Sequence, residues 1–261
     1  MPKLSDISIY PFKSLDAQRV DEAVVLPSGA LEGDRRFALV DVHGDWVNGK
    51  RTAEIHRLRS RFDPSNEQLT LRVEGTSEEH TFAVRAERKA LTDWLSAFLG
   101  IAIDLIENPD AGFPDDSLSP GPTVISTATL AEVAGWFAPM GIEEARLRFR
   151  ANLEIDVEEA FWEDRLLAGG DGAVRFRIGD VEFLGTNPCA RCIVPTRNPQ
   201  SGEVLHGLSK AFARRRRETL PAWAPADRFD HFYRLTTNTR PAGVSGGTLR
   251  VGDEVTILGP A

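Results

Sequence analysis

Both cysteines of the chain lie in one stretch, TNPCARCIVPT, as Cys189 and Cys192. A C-x-x-C spacing can supply half of a tetrahedral zinc site, a redox pair, or two thiols that pack as small hydrophobes. Zinc needs two further ligands, yet the nearest downstream histidine is His206 and no second C-x-x-C exists. A redox thiol gains its acidity at a helix N-terminus, whereas the IVPT that follows here reads as extended and contains Pro195. Taken alone, the motif leaves all three readings open.

Other residues point to anion binding. VISTATL sets Ser126, Thr127 and Thr129 between a strand and a helix. Such a turn offers hydroxyls and unpaired backbone N–H groups at the positive end of a helix dipole, a place suited to phosphate or to an ordinary N-cap. In RLRFRAN, a strand reading puts Arg146, Arg148 and Arg150 on one face with Asn152. Arginines so arranged repel one another unless an anion or carboxylates face them, and guanidinium contacts phosphate bidentately. Lys13, Ser14, Arg35 and Arg36 flank turns near the N-terminus, and NGKRT adds Lys50 and Arg51 in what reads as a solvated turn. His43, His56, His80, His206 and His231 show no spacing that marks a base or a ligand, and Glu163 and Asp164 read as structural. No dinucleotide or Walker loop, G-x-S-x-G or H-E-x-x-H is present.

The elements that must position these residues are mostly strands. LSDISIYPF, RVDEAVVL, RFALVD, LTLRV and HTFAVR carry alternation or short apolar runs, with turn chemistry between them. ERKALTDWLSAFLG predicts a helix: Leu91, Trp94, Leu95, Phe98 and Leu99 share one face, and Gly100 is placed to cap it. IAIDLIE follows as a strand. The loop NPDAGFPDDSLSPGP then acts as a linker or functional loop, whose Asp110, Asp115 and Asp116 border a site entrance. TVISTATLAEVAGWF predicts strand, turn and helix; LSKAFARRRRETL predicts a helix; the remaining segments predict strands. The fold class is α+β, predominantly β and barrel-like, with a few peripheral helices.

Composition bounds the function. The 261 residues are 41% hydrophobic and 27% charged, enough for a full core. A net charge of −8 argues against general nucleic-acid binding, and Arg214 to Arg217 read as a solvated face or a patch for an acidic partner. The chain has no run of about 18 apolar residues, and its N-terminus does not read as a signal or transit peptide. No membrane partner is expected, and two free thiols fit a reducing, cytoplasmic setting.

These blocks, in this order, resemble the MOSC family, named for the C-terminal domain of molybdenum-cofactor sulfurases. IYPFKSL and GDRRFALVD are similar to the β-barrel domain that precedes MOSC in longer members, and GPTVISTATL, RFRANLEID, NPCARCIVPTRNPQSGE and GGTLRVGDEVTILG to successive MOSC blocks. The resemblance implies an N-terminal barrel domain over residues 1–105 and a MOSC domain over 106–261. It implies molybdenum held on a pterin dithiolene with a terminal phosphate, as in the mitochondrial amidoxime-reducing components, which reduce N-hydroxylated compounds; the short Ser/Thr turn favours a phosphate without a nucleotide. Cys192 then takes the place of the catalytic molybdenum ligand, and Cys189 packs beside it. Lys13, Ser14, Arg35 or Arg36, the turn of Ser126, Thr127 and Thr129, and Arg148, Arg150 and Asn152 fall on cofactor-binding positions. Ala151 replaces the family's usual proline between the last arginine and asparagine. Partners implied are a small N-oxygenated substrate and a separate electron donor, a cytochrome, ferredoxin or flavoprotein reductase, because no cysteines remain for a cluster. A carrier of cofactor or sulfur without turnover is the alternative.

Overall fold

The computed structural model describes residues 1–243 and 246–261. Its first part contains β1 (Lys3–Ile9), β2 (Gln18–Val20), β3 (Glu22–Val24), β4 (Phe37–Val40), β5 (Leu58–Asp63), β6 (Gln68–Val73), β7 (Glu79–Ala83), α1 (Arg88–Leu99) and β8 (Asp104–Glu107). After a long loop come β9 (Val124–Ser126), α2 (Thr127–Gly135), α3 (Ile142–Phe149), β10 (Leu153–Asp156), β11 (Val174–Ile178) and β12 (Val181–Ala190). The chain finishes with α4 (Leu208–Glu218), β13 (Arg234–Pro241), β14 (Thr248–Arg250) and β15 (Val255–Pro260). The architecture is α+β and dominated by sheet, as the alternating patterns predict.

The largest sheet has eight strands in the order β15-β11-β12-β13-β9-β10-β1-β2. Neighbours are antiparallel except β9 and β10, which run parallel. β1 lies between β10 and β2, so the N-terminal strands complete a sheet whose other members lie beyond residue 123. Leu4 and Ile7 of β1 are buried in one core with Val124, Leu153, Phe176 and Phe183. A second core forms where β5, β6 and β7 and the β4–β8 pair meet α1. Helix α1 matches its sequence pattern: Leu91 and Leu95 are buried, and Gly100 at φ 69° donates its N–H to Ser96 O. That left-handed cap is cheap only for glycine.

One segment departs from its sequence reading. RLRF is helix α3, not strand. Alternating arginines satisfy a period of two, but GIEEARLRF also carries helix signals. Glu143 and Glu144 occupy the first turn and Arg146 and Arg148 the last, complementing the dipole, with Arg146–Glu143 and Arg148–Glu144 pairs along the face. Arg150, at φ 50°, ends the helix and turns the chain into β10.

Candidate functional site

A single open cleft of about 1320 Å³, solvent at its mouth included, gathers residues from both ends of the chain. Its base follows from a long β12. The register of β12 against β13 slips between Gly185 and Asn187 and again between Pro188 and Ala190, so Cys189 sits in an irregularity at the strand's end. The chain then crosses the cleft with Cys192 and enters a 3-10 turn at Val194–Thr196, not the extended run that IVPT implies. Both thiols are free, half-buried and part of the lining. Among the described residues no group of three or more His, Cys, Asp or Glu is placed to hold a metal ion, so none of them supplies the two further ligands a zinc site at the C-x-x-C needs.

Around the thiols the lining includes seven lysine or arginine side chains against four aspartates, in a chain whose net charge is −8. Lys13 and Ser14 follow a stretch fastened to the 35–37 segment, where Lys13 N–H donates to Phe37 O at 2.8 Å. Beneath, Phe12 and Phe37 stack at 4.7 Å. Lys13 Nζ donates to Phe113 O and to Asp115. Burial lowers the Lys13 pKa, and Asp115 opposes that shift. Arg35, at φ 49°, bonds its neighbour Asp34, which raises its pKa against the cost of burial. Tyr10 lies below: Arg35 is 5.5 Å and Arg150 4.2 Å from its ring centre. Burial lowers the Arg150 pKa, and one of its nitrogens donates to Leu15 O at 2.7 Å.

Three further cations come from the cysteine segment and from α3. Arg148 donates to Glu144, to Pro195 O at 2.9 Å and to Arg197 O at 2.6 Å, and so clamps the turn that follows Cys192. Arg191 donates to Phe149 O at 2.7 Å and to Cys189 Sγ at 3.4 Å. The Nε of Arg191 and that of Arg197 are both buried with no partner among the described residues. Buried donors without partners are costly.

The structure therefore brings together Cys192, Lys13, Ser14, Arg35, Arg148 and Arg150 in the cleft. It sets five others elsewhere. Arg36 pairs with Glu67 and Glu107, each at 2.6 Å. Asn152 is 1% exposed; it accepts from Thr123 N–H and donates to Ser8 O, and so supports the cleft residue Thr123 from behind. Ser126 and Thr129 are fully buried, and the position foreseen for phosphate holds a side chain of the protein itself: Glu163 accepts from Ser126 N–H at 3.1 Å and Thr129 hydroxyl at 2.9 Å. The Thr127 hydroxyl donates to Ile155 O at 3.4 Å. Arg216, placed by sequence on a solvated face, is 1% exposed and pairs with Asp164, while Arg214, Arg215 and Arg217 are exposed.

Sequence reasoning passed over several lining residues. Asn48, Gly49 and Lys50 read as a solvated turn, but the Asn48 side-chain Oδ1 accepts from the N–H groups of Lys50 and Arg51, and Gly49 N–H donates to Ser14 Oγ at 3.4 Å. His56 lines the cleft against Gly49 O at 3.3 Å; burial lowers its pKa, so it is neutral there near pH 7. Arg191 and Arg197 were visible only as neighbours of the C-x-x-C.

Fold and cleft together define a β-rich α+β protein with two thiols set in a cation-lined groove. Residues 1–138 match the MOSC N-terminal beta barrel domain and residues 123–256 the MOSC domain. The chain belongs to the MOSC family. It is similar to molybdenum cofactor sulfurase 2 of Culex quinquefasciatus, 25% identical over 263 residues that span 81% of this chain and 33% of the relative. The molybdenum cofactor sulfurases of Drosophila mojavensis (24% identical) and Solanum lycopersicum (22%) each match 77% of this chain, with 29% and 30% of their own lengths. The chain thus spans about a third of the curated relatives it matches. None of the described helices is long and apolar enough to cross a membrane.

Proposed function

We propose that the cleft binds the molybdenum cofactor in its phosphorylated pterin form, and that the protein is a molybdenum-dependent oxidoreductase acting on N-hydroxylated or N-oxide substrates. The observation that carries this reading is the convergence of Cys192 with Lys13, Arg35, Lys50 and Arg150 around one groove. The residues fit such a group. Its anionic part meets an excess of cations, and its metal meets a thiol of suitable softness. Membership in a family whose curated relatives bear the name molybdenum cofactor sulfurase supports the cofactor; the N-reductase activity extends beyond it.

In this reading Cys192 is the protein ligand to molybdenum. Lys13, Ser14 and Arg35 hold the phosphate, and Arg150 and Arg197 neutralise the pterin side. Arg148 acts one step back by fixing the turn after Cys192 through two carbonyls. Arg191 donates to Cys189 and orients the second thiol beside the first. The bound group supplies two-electron oxygen-atom chemistry, and the chain supplies position, charge and access.

Electrons would arrive from a donor outside these residues, which hold only the two cleft cysteines. The exposed Arg214, Arg215 and Arg217 on α4 form its docking patch. Reversing those three charges should lower turnover with the donor and leave turnover with a small chemical reductant unchanged; equal turnover with the donor removes the patch from the proposal.

The founding test is molybdenum and pterin content per chain, wild type against Cys192→Ala, after expression in a cofactor-producing host. Stoichiometric metal with pterin, and loss of the metal in the variant, supports the reading. Zinc, or no metal and no pterin in either protein, defeats it. Cofactor that transfers freely to an apo-enzyme, with no reduction of hydroxylamines or amidoximes, would make the protein a carrier.

A further inference from the structure

The loop between β8 and β9 crosses the mouth of the cleft and is fastened on both sides. On one side Phe113 N–H donates to Arg35 O at 2.9 Å. Gly112, at φ +62°, packs so closely there that a Cβ would stand 2.3 Å from Asp34 O. On the other side the Ser119 and Thr186 hydroxyls meet at 2.8 Å, and Asp116 accepts from Asn238 Nδ2 at 3.1 Å. Between these anchors Asp115 turns inward. Its carboxylate takes Lys13 Nζ at 2.8 Å and stands 3.7 Å from Lys50 Nζ, and the charge of Arg35 acts on it through space. Burial pushes the Asp115 carboxyl up, but Lys13, Arg35 and Lys50 outweigh it and hold the group well below the usual carboxylate range.

The arrangement is asymmetric. Lys13 is 12% exposed, whereas the Asp115 side chain is 62% exposed. A rotamer change can therefore carry the carboxylate out to water while both loop anchors stay in place, and it would leave Lys13 and Lys50 without it, Arg35 keeping Asp34. A buried ammonium in that condition is costly, so the cradle needs an anion at all times.

We propose that Asp115 is a specificity-determining residue: its carboxylate stands in for a ligand phosphate in the cradle of Lys13, Arg35 and Lys50, and a ligand enters by displacing it. This deepens the cofactor reading above and rests on it for the identity of the natural ligand. The selectivity follows from charge. A monoanion returns to the cradle no more than it removes, so it gains little. A phosphate dianion brings a second charge and more acceptor oxygens, and gains from all three cations. Asp115 thus admits phosphate esters and turns away carboxylates.

The test is titration calorimetry at pH 8 and low ionic strength, with inorganic phosphate and then acetate, on the full chain. Asp115→Asn removes the competitor and should bind phosphate about tenfold more tightly than wild type, the range of one charge-assisted pair. It should also gain measurable acetate binding. Adding Lys13→Gln to that variant should abolish the gain. Asp110→Asn, which removes an equal charge from an exposed position of the same loop outside the cleft lining, should stay within about twofold of wild type. Equal phosphate affinity in wild type and Asp115→Asn overturns the inference, as does an equal gain from Asp110→Asn, which would mark a general charge effect. Absence of phosphate binding in every variant overturns it too. Molybdenum and pterin content is scored separately. Cofactor present with no Asp115 effect removes this inference and keeps the function; an Asp115 effect without cofactor does the reverse.

Discussion

Glu163 is a single residue that takes the place a ligand was expected to fill. The strand-to-helix turn at Ser126 has the hydroxyls and N–H groups of an anion site, and the protein answers them with its own carboxyl. Burial first, then the neighbouring Asp164, pushes that carboxyl up to about 7, against the pull of Thr129 and Arg216. Its Oε1 has no partner among the described residues. A group whose folded pKa lies above its unfolded value near 4.5 contributes stability that is complete below 4.5 and is lost as pH rises through about 7. Glu163→Gln keeps an acceptor for Ser126 and Thr129 without the charge. In urea unfolding it should match wild type at pH 4.5 and exceed it at pH 8 by up to about 3 kcal/mol. The same difference at both pH values would refute the assignment.

At the scale of elements, α4 and β12 each depend on one buried point. Helix α4 carries four consecutive arginines, and Arg216 alone turns inward, 4.0 Å from the centre of the Phe161 ring and paired with Asp164. Its removal leaves a buried carboxylate without a partner. Arg216→Ala should therefore cost about 3–5 kcal/mol, whereas the exposed Arg215→Ala should cost about 0.5 kcal/mol or less. Urea midpoints for the two variants, with unchanged slopes, check the contrast. Strand β12 reaches the cleft only because Gly185 lets it pass Leu166: a Cβ there would lie 2.0 Å from Leu166 O. Gly185→Ala should destabilise by about 1–3 kcal/mol, as over-packing does, and should shift the cysteine segment that β12 carries. Comparing its thiol alkylation rate with wild type reads that shift; an unchanged midpoint and rate would show that β12 yields elsewhere.

Over the whole molecule, the two parts of the chain share one sheet and one cleft. Cutting between residues 105 and 106, inside β8, would remove β1 and β2 from the sheet that β9 to β13 build, and with them Leu4 and Ile7 from its core. The exposed edge of β10 would then lie open to pairing with other chains. A fragment of residues 106–261 should accordingly aggregate or give a collapsed amide spectrum, and mixing it with residues 1–105 should restore dispersion only in part. A well-dispersed, monomeric fragment would show that β1 is dispensable. The same cut separates Lys13, Arg35 and Lys50 from Cys192, so neither piece retains the cleft.

Much of this was legible in the sequence because it is local. The spacing of Leu91 and Leu95 and the glycine at 100 determine α1; alternation determines most strands; two thiols three residues apart mark a segment that lines the cleft. Local signals failed where two periods fitted the same residues, as in RLRF, where paired glutamates one turn earlier favoured helix. The choice among cations was beyond any local reading. Arg36 is neutralised by Glu67 and Glu107, Arg146 by Glu154 and Arg216 by Asp164, while Lys13 and Lys50 meet at the cleft with the exposed Asp115 against them. A charge is free for a ligand only if no closer counter-charge is buried beside it. Electrostatic energy depends on separation in space and on burial, and the tertiary structure alone sets both.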